Sequence, residues 1–157
     1  MFEEFAGLPL HPLLVHAAVV LVPSSALAAI LFAVVPRWRW VLRWPVLVSA
    51  LLSLLAVFVT VRSGQALLTS RPELAQLVAT HQQRGQQLQL ILLGYALVAA
   101  LAFFALGGPT RLAGGRSRTG AARPVQIVVA VLLVGLAGWS LLQTALTGDS
   151  GSRAVWG

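Results

Sequence analysis

The sequence predicts an all-α integral membrane protein: a four-helix up-and-down bundle with both termini outside the cytoplasm. Three observations predict it. Residues are 58% hydrophobic and only 10% charged, too little polar surface for a soluble domain. Four apolar runs, 13–35, 41–61, 88–106 and 125–146, each approach the ~20 residues that cross a hydrocarbon core. The positive charge, all arginine with no lysine, is distributed in a way that fixes an orientation.

Run one carries no formal charge and follows an acidic start, Met-Phe-Glu-Glu, where a cleaved signal peptide has a basic one; it is expected to be retained. The connection to run two holds Arg37, Arg39 and Arg43 among Trp38, Trp40 and Trp44, which suits a headgroup-level aromatic belt. The connection before run four, 107–124, adds Arg111, Arg116, Arg118 and Arg123 without an acid. On the other side Arg62, Arg71, Arg84 and Arg153 are matched in number by Glu3, Glu4, Glu73 and Asp149. The positive-inside rule then places the arginine-rich loops in the cytoplasm of a bacterial inner membrane. Topology alone accounts for the basic charge, so no nucleic-acid partner is expected.

The outer connection, 62–87, contains Ser70-Arg71-Pro72-Glu73, the form of a capping box with proline in the first turn. It predicts that helix three starts near 72 and runs outside the membrane for about four turns before joining run three. Ser24/Ala28, Ser25/Ala29 and Ala96/Ala100, with Gly135 and Gly138, offer small-residue seams for helix packing. Pro23 is expected to kink run one. No internal repeat is evident, and the whole chain reads as one domain.

The absence of cysteine excludes disulfides, thiolate metal sites, iron–sulfur ligation and cysteine nucleophiles. No catalytic group is identified: Ser150 in Gly148-Asp149-Ser150-Gly151 lacks the strand-turn-helix setting of a nucleophile elbow and is read as a turn after run four. The histidines are more informative, because the topology puts His11, His16 and His81 at one end. His16, in an apolar segment, is expected to face the bundle interior, and His81 falls on the apolar face of helix three with Tyr95 deeper on it. Imidazoles on different bundle helices can be the axial ligands of haem b, and His16 with His81 are the candidates. Arg62 and Arg84 are weaker candidates for its propionates. With His11 added, the three imidazoles are an alternative metal site for copper or zinc, although His11 and His16 do not share a helix face. Otherwise the histidines hydrogen-bond across helices and fix packing.

The segment Leu8-Pro9-Leu10-His11-Pro12-Leu13-Leu14-Val15-His16 resembles the "HP-x-x-VH" opening of the bacterial family called domain of unknown function 2231. Arg62-Ser63-Gly64 looks like that family's small-Gly turn, His81 with Gly85 like its "H-x-x-x-G" segment, and the chain from Gly148 to Gly157 like its "GHSG…VWG" tail. Here Ala17-Ala18 replace the usual Phe-Pro, and Asp149 stands where the tail histidine is expected, removing one ligand candidate. The resemblance implies a four-helix membrane protein with no established activity. Fusion of some relatives to Rieske-type domains implies electron-transfer company. The expectation is a lipid-embedded haem b electron-transfer subunit with a redox partner, or a cofactor-free membrane scaffold that binds a protein partner.

Overall fold

The structure, a computed structural model, describes residues 4–5, 8–109, 117–118 and 121–157. Four long helices dominate it: α1 (Leu10–Val34), α2 (Arg39–Ser70), α3 (Ala79–Ala105) and α4 (Arg123–Trp156). Two-residue strands form two small antiparallel pairs, β1 (Glu4–Phe5) with β2 (Leu8–Pro9) and β3 (Gly108–Pro109) with β4 (Ser117–Arg118). Each helix packs on the next and α4 closes back on α1, giving an up-and-down bundle.

Prolines set two of the boundaries. Val35 (φ −116°, ψ 87°) and Arg71 (φ −133°, ψ 70°) each precede a proline, whose ring disfavours the helical conformation there, and α1 and α2 stop. Each proline then opens a 3-10 turn, Pro36–Trp38 or Pro72–Leu74. Helix three therefore begins at Ala79, not near 72, and Ser70 is no N-cap: it is the last residue of α2, donating its hydroxyl to the Leu67 carbonyl at 3.0 Å. The length expected of helix three belongs instead to α2 and α4, which run well past Val61 and Leu146. Gly148-Asp149-Ser150-Gly151 lies inside α4 and is not a turn. α1 continues through Pro23.

All four helices are long and apolar enough to cross a membrane. Their burial is inverted relative to a soluble bundle. Leu90, Val131, Val20 and Phe104 are exposed, whereas Ala26, Ala29, Ala50, Ala99, Ala102 and Ala137 are fully buried. Lipid solvates large apolar side chains as well as a core does, so close contact between small residues holds the helices together. Ser25, Ala29 and Ala96 belong to that seam as expected; Ser24, Gly135 and Gly138 are exposed and do not. Tyr95 crosses the core and donates its hydroxyl to the Ser25 carbonyl at 2.9 Å, with the two side-chain oxygens also 2.9 Å apart. Ser49 donates to the Ser25 hydroxyl at 3.0 Å, completing a buried polar chain across α1, α2 and α3.

At one end of the bundle, Arg43 sits 4.1 Å above the Phe103 ring, and Trp44 meets that ring edge-on at 4.8 Å. The start of α1, the 62–87 segment and the end of α4 form the other end, and all three histidines lie toward it. Arg111 and Arg116, part of the basic-loop reading, fall outside the described residues.

Candidate functional site

His11 enters the bundle at the first turn of α1 and His81 at the first turn of α3, on diagonal helices of the square. Their imidazoles meet edge-on, with centroids 6.2 Å apart and planes at 85°. His11 Nδ1 lies 3.0 Å from the Thr60 carbonyl of α2 and 3.1 Å from the Ser63 hydroxyl. His81 Nδ1 lies 3.0 Å from the Thr147 carbonyl of α4. A carbonyl oxygen only accepts, so Nδ1 carries a proton in both rings, which leaves Nε2 as the nitrogen that holds the lone pair in the neutral tautomer. Burial holds His11 below the ordinary imidazole pKa; the bond to Thr60 opposes that, and the neighbouring His81 adds to it. At neutral pH His11 is uncharged.

Glycines make room for the rings. A Cβ on Gly64 would come within 3.1 Å of His11 Cε1, and one on Gly151 within 2.9 Å of His81 Nδ1, so each imidazole rests against bare helix backbone. Both rings line an apolar cleft to which all four helices contribute, with residues that include Val15, Val57, Leu88 and Thr144. Its volume is about 160 Å³.

His81 therefore stands in the bundle as anticipated, but the ring it faces is His11, and the expected His16–His81 pair is not assembled. His16 is five residues beyond His11, about 140° further around α1 at 100° per residue; it is exposed and does not line the cleft. No group of three or more His, Cys, Asp or Glu side chains able to hold a metal converges among the described residues, so the three-histidine arrangement does not form. Arg62 lies 5.1 Å over the Phe58 ring; Arg84 donates to the Leu146 carbonyl at 2.6 Å and sits 4.0 Å from Asp149. Neither arginine lines the cleft. Sequence reasoning missed the supports Thr60, Ser63, Gly64, Thr147 and Gly151, whose signal was a small residue beside a hydroxyl residue within an otherwise apolar helix.

The bundle, the histidine-bearing entry and the apolar helices agree with comparison to known families. The family model described as "Predicted membrane protein (DUF2231)" matches residues 7–157. The chain belongs to that family. This confirms the resemblance drawn from the His11–His16 segment and makes the protein a member of a membrane family of unknown function. No curated protein and no solved structure matches the chain.

Proposed function

We propose that this family member is a small electron-transfer subunit of the bacterial inner membrane, holding haem b between His11 and His81 at the outer end of the bundle. The separation of the two imidazoles carries the reading. Two metal–nitrogen bonds of about 2 Å plus two imidazole radii of about 1.1 Å span at most about 6.2 Å between ring centroids, and the rings stand at 6.2 Å, so both could ligate one metal ion. Both rings also make the second hydrogen bond that metal-ligating histidines use, Nδ1–H to a backbone carbonyl, which raises ligand basicity and fixes the tautomer. The cleft, about 160 Å³, is smaller than the ~300–1,000 Å³ of cofactor sites, so the helices would have to part to admit the group, and the donor set alone supports the fit. These residues fit the group: His11 and His81 would hold it, and Thr60 and Thr147 would orient them. Haem would supply one-electron chemistry, and the apolar wall contributed by Val15, Val57 and Leu88 would keep water from it.

The second reading is a cofactor-free scaffold in which the same bonds pin α1 to α2 and α3 to α4 while another surface binds a protein partner. One measurement separates the two. In absorption spectra of detergent-purified protein from cells given iron and a haem precursor, a sharp dithionite-reduced α-band is expected. It should disappear in His11→Ala and in His81→Ala and persist in His16→Ala. A colourless protein from haem-replete cells leaves the scaffold.

A further inference from the structure

We infer that the chain is an internal duplication, two tandem copies of one helical hairpin, and that its imidazole pair is one positioning device built twice and brought together on the pseudo-two-fold axis. The inference takes from the proposed function only that His11 and His81 form the site, whatever fills it.

The second helix of each hairpin carries the motif most plainly. Ala50, Ser53, Leu54, Leu55, Thr60, Ser63 and Gly64 of α2 recur as Ala137, Ser140, Leu141, Leu142, Thr147, Ser150 and Gly151 of α4, each pair 87 positions apart. The atoms repeat as well as the letters. Thr60 Oγ1 donates to the Ala56 carbonyl at 2.7 Å, and Thr147 Oγ1 to the Gln143 carbonyl at 2.7 Å. Ser63 donates to the Thr60 carbonyl at 2.8 Å, and Ser150 to the Thr147 carbonyl at 2.9 Å. Those carbonyls receive His11 Nδ1 and His81 Nδ1, each at 3.0 Å, and Gly64 and Gly151 sit under the two rings.

The first helices agree at a different offset. Shifting α1 by 70 positions superposes His11 on His81 and Ser25 on Tyr95, two pairs that touch across the bundle. The same shift carries all seven buried residues described in α1, from Ala18 to Ala33, onto the seven buried in α3, from Leu88 to Phe103. Helical periodicity alone makes two buried faces match at some offset. It gives no reason for that offset to be the one that also pairs the histidines. The copies have diverged by exchanging bulk across the axis: Ser25 faces Tyr95, and Phe32-Ala33 becomes Ala102-Phe103. The two offsets differ because the link inside the second hairpin is 17 residues longer, which hides the repeat from any search at one period.

A device that holds an imidazole through a Ser-braced carbonyl and a glycine floor makes Ser63, Gly64, Ser150 and Gly151 positioning residues. It fixes Nδ1 of both rings in the same way and leaves Nε2 of each as the nitrogen that could bind a ligand. The test is side-chain ¹⁵N NMR of histidine-labelled full-length protein in detergent, dithionite-reduced if it is coloured, for wild type, Ser63→Ala, Ser150→Ala, Gly64→Ala and Gly151→Ala. Two of the three imidazoles should show protonated Nδ1 at neutral pH. Ser63→Ala should move only His11 and Ser150→Ala only His81, in the same direction. The glycine variants should act likewise, with the larger change for Gly151→Ala, where the added Cβ is closest. The duplication of the device is overturned if one serine variant moves its imidazole and the other does not, or if either ring protonates Nε2 instead. Should the glycine variants fail to fold, the serine pair decides alone. Absence of haem would show separately as absence of colour and would leave these expectations unchanged.

Discussion

Each site imidazole spends its one N–H on a helical carbonyl that also accepts from a serine hydroxyl three residues on. Such a carbonyl gathers several donors, and its bond to Nδ1–H taken alone favours the charged form of His11. What disfavours the charged form of His11 is burial, reinforced by His81 at 6.2 Å. The consequence for stability has a definite sign. A histidine whose folded pKa lies below its ordinary 6.5 binds a proton more readily when unfolded. Its contribution is therefore complete above about pH 6.5 and is lost as the pH falls from there through the lowered folded value. Thermal unfolding of the detergent-solubilised protein should show a midpoint that is flat from pH 8 to 7 and declines toward pH 5. His11→Ala should be less stable at pH 8 and show a shallower decline. An equal slope in the variant would place the acid sensitivity elsewhere.

At the scale of the helix, the sequence read well wherever hydrophobicity decided and poorly wherever a proline or a polar residue was read out of context. The four apolar runs became four helices because length and apolarity are the properties that membrane solvation selects. Ser70-Arg71-Pro72-Glu73 has the letters of a capping box, but the bonds that already hold Arg71 and Ser70 to the Leu67 carbonyl end α2 there. The candidate site was half legible. His81 could be placed by its spacing along helix three, whereas His11, which the sequence offered only as part of a three-histidine metal site, needed the α2 carbonyl at Thr60 to turn it inward. The duplication makes a prediction for the elements that needs no cofactor. Tyr95→Ser alone should open a cavity costing roughly 3 kcal/mol, and Ser25→Tyr alone should overpack the axis by about 1–3 kcal/mol. The double variant exchanges two pseudo-symmetric positions and should recover to within about 1 kcal/mol of wild type, measured by unfolding in mixed detergent as a double-mutant cycle. Additive losses in the double variant would show that the two helices are not interchangeable at that level.

For the whole molecule, the duplicated hairpins impose a constraint that no single helix carries. Two hairpins related about an axis along the bundle enter and leave the membrane on the same side, so His11, Ser63, His81 and Ser150 share one end while the Arg37–Arg43 and 107–124 connections share the other. The arginine bias then orients both hairpins together: among the described residues Arg37, Arg39, Arg43, Arg118 and Arg123 lie at one end without an acid, and at the other Arg62, Arg71, Arg84 and Arg153 are accompanied by Glu4, Glu73 and Asp149. If the basic end is cytoplasmic, the imidazole pair opens outward, where a partner on that side of the membrane could exchange electrons with it. The lack of native cysteine permits a direct test. Thr69→Cys is exposed at the end of α2 on the histidine side, and Ala122→Cys is exposed just before α4 on the basic side. In intact spheroplasts a membrane-impermeant maleimide should label Thr69→Cys and spare Ala122→Cys until the membrane is opened. The reverse pattern would turn the site toward the cytoplasm, and the electron-transfer partner would then have to be sought on that side. Labelling of both positions before lysis would contradict a bundle that crosses the membrane an odd number of times between them, and with it the fold.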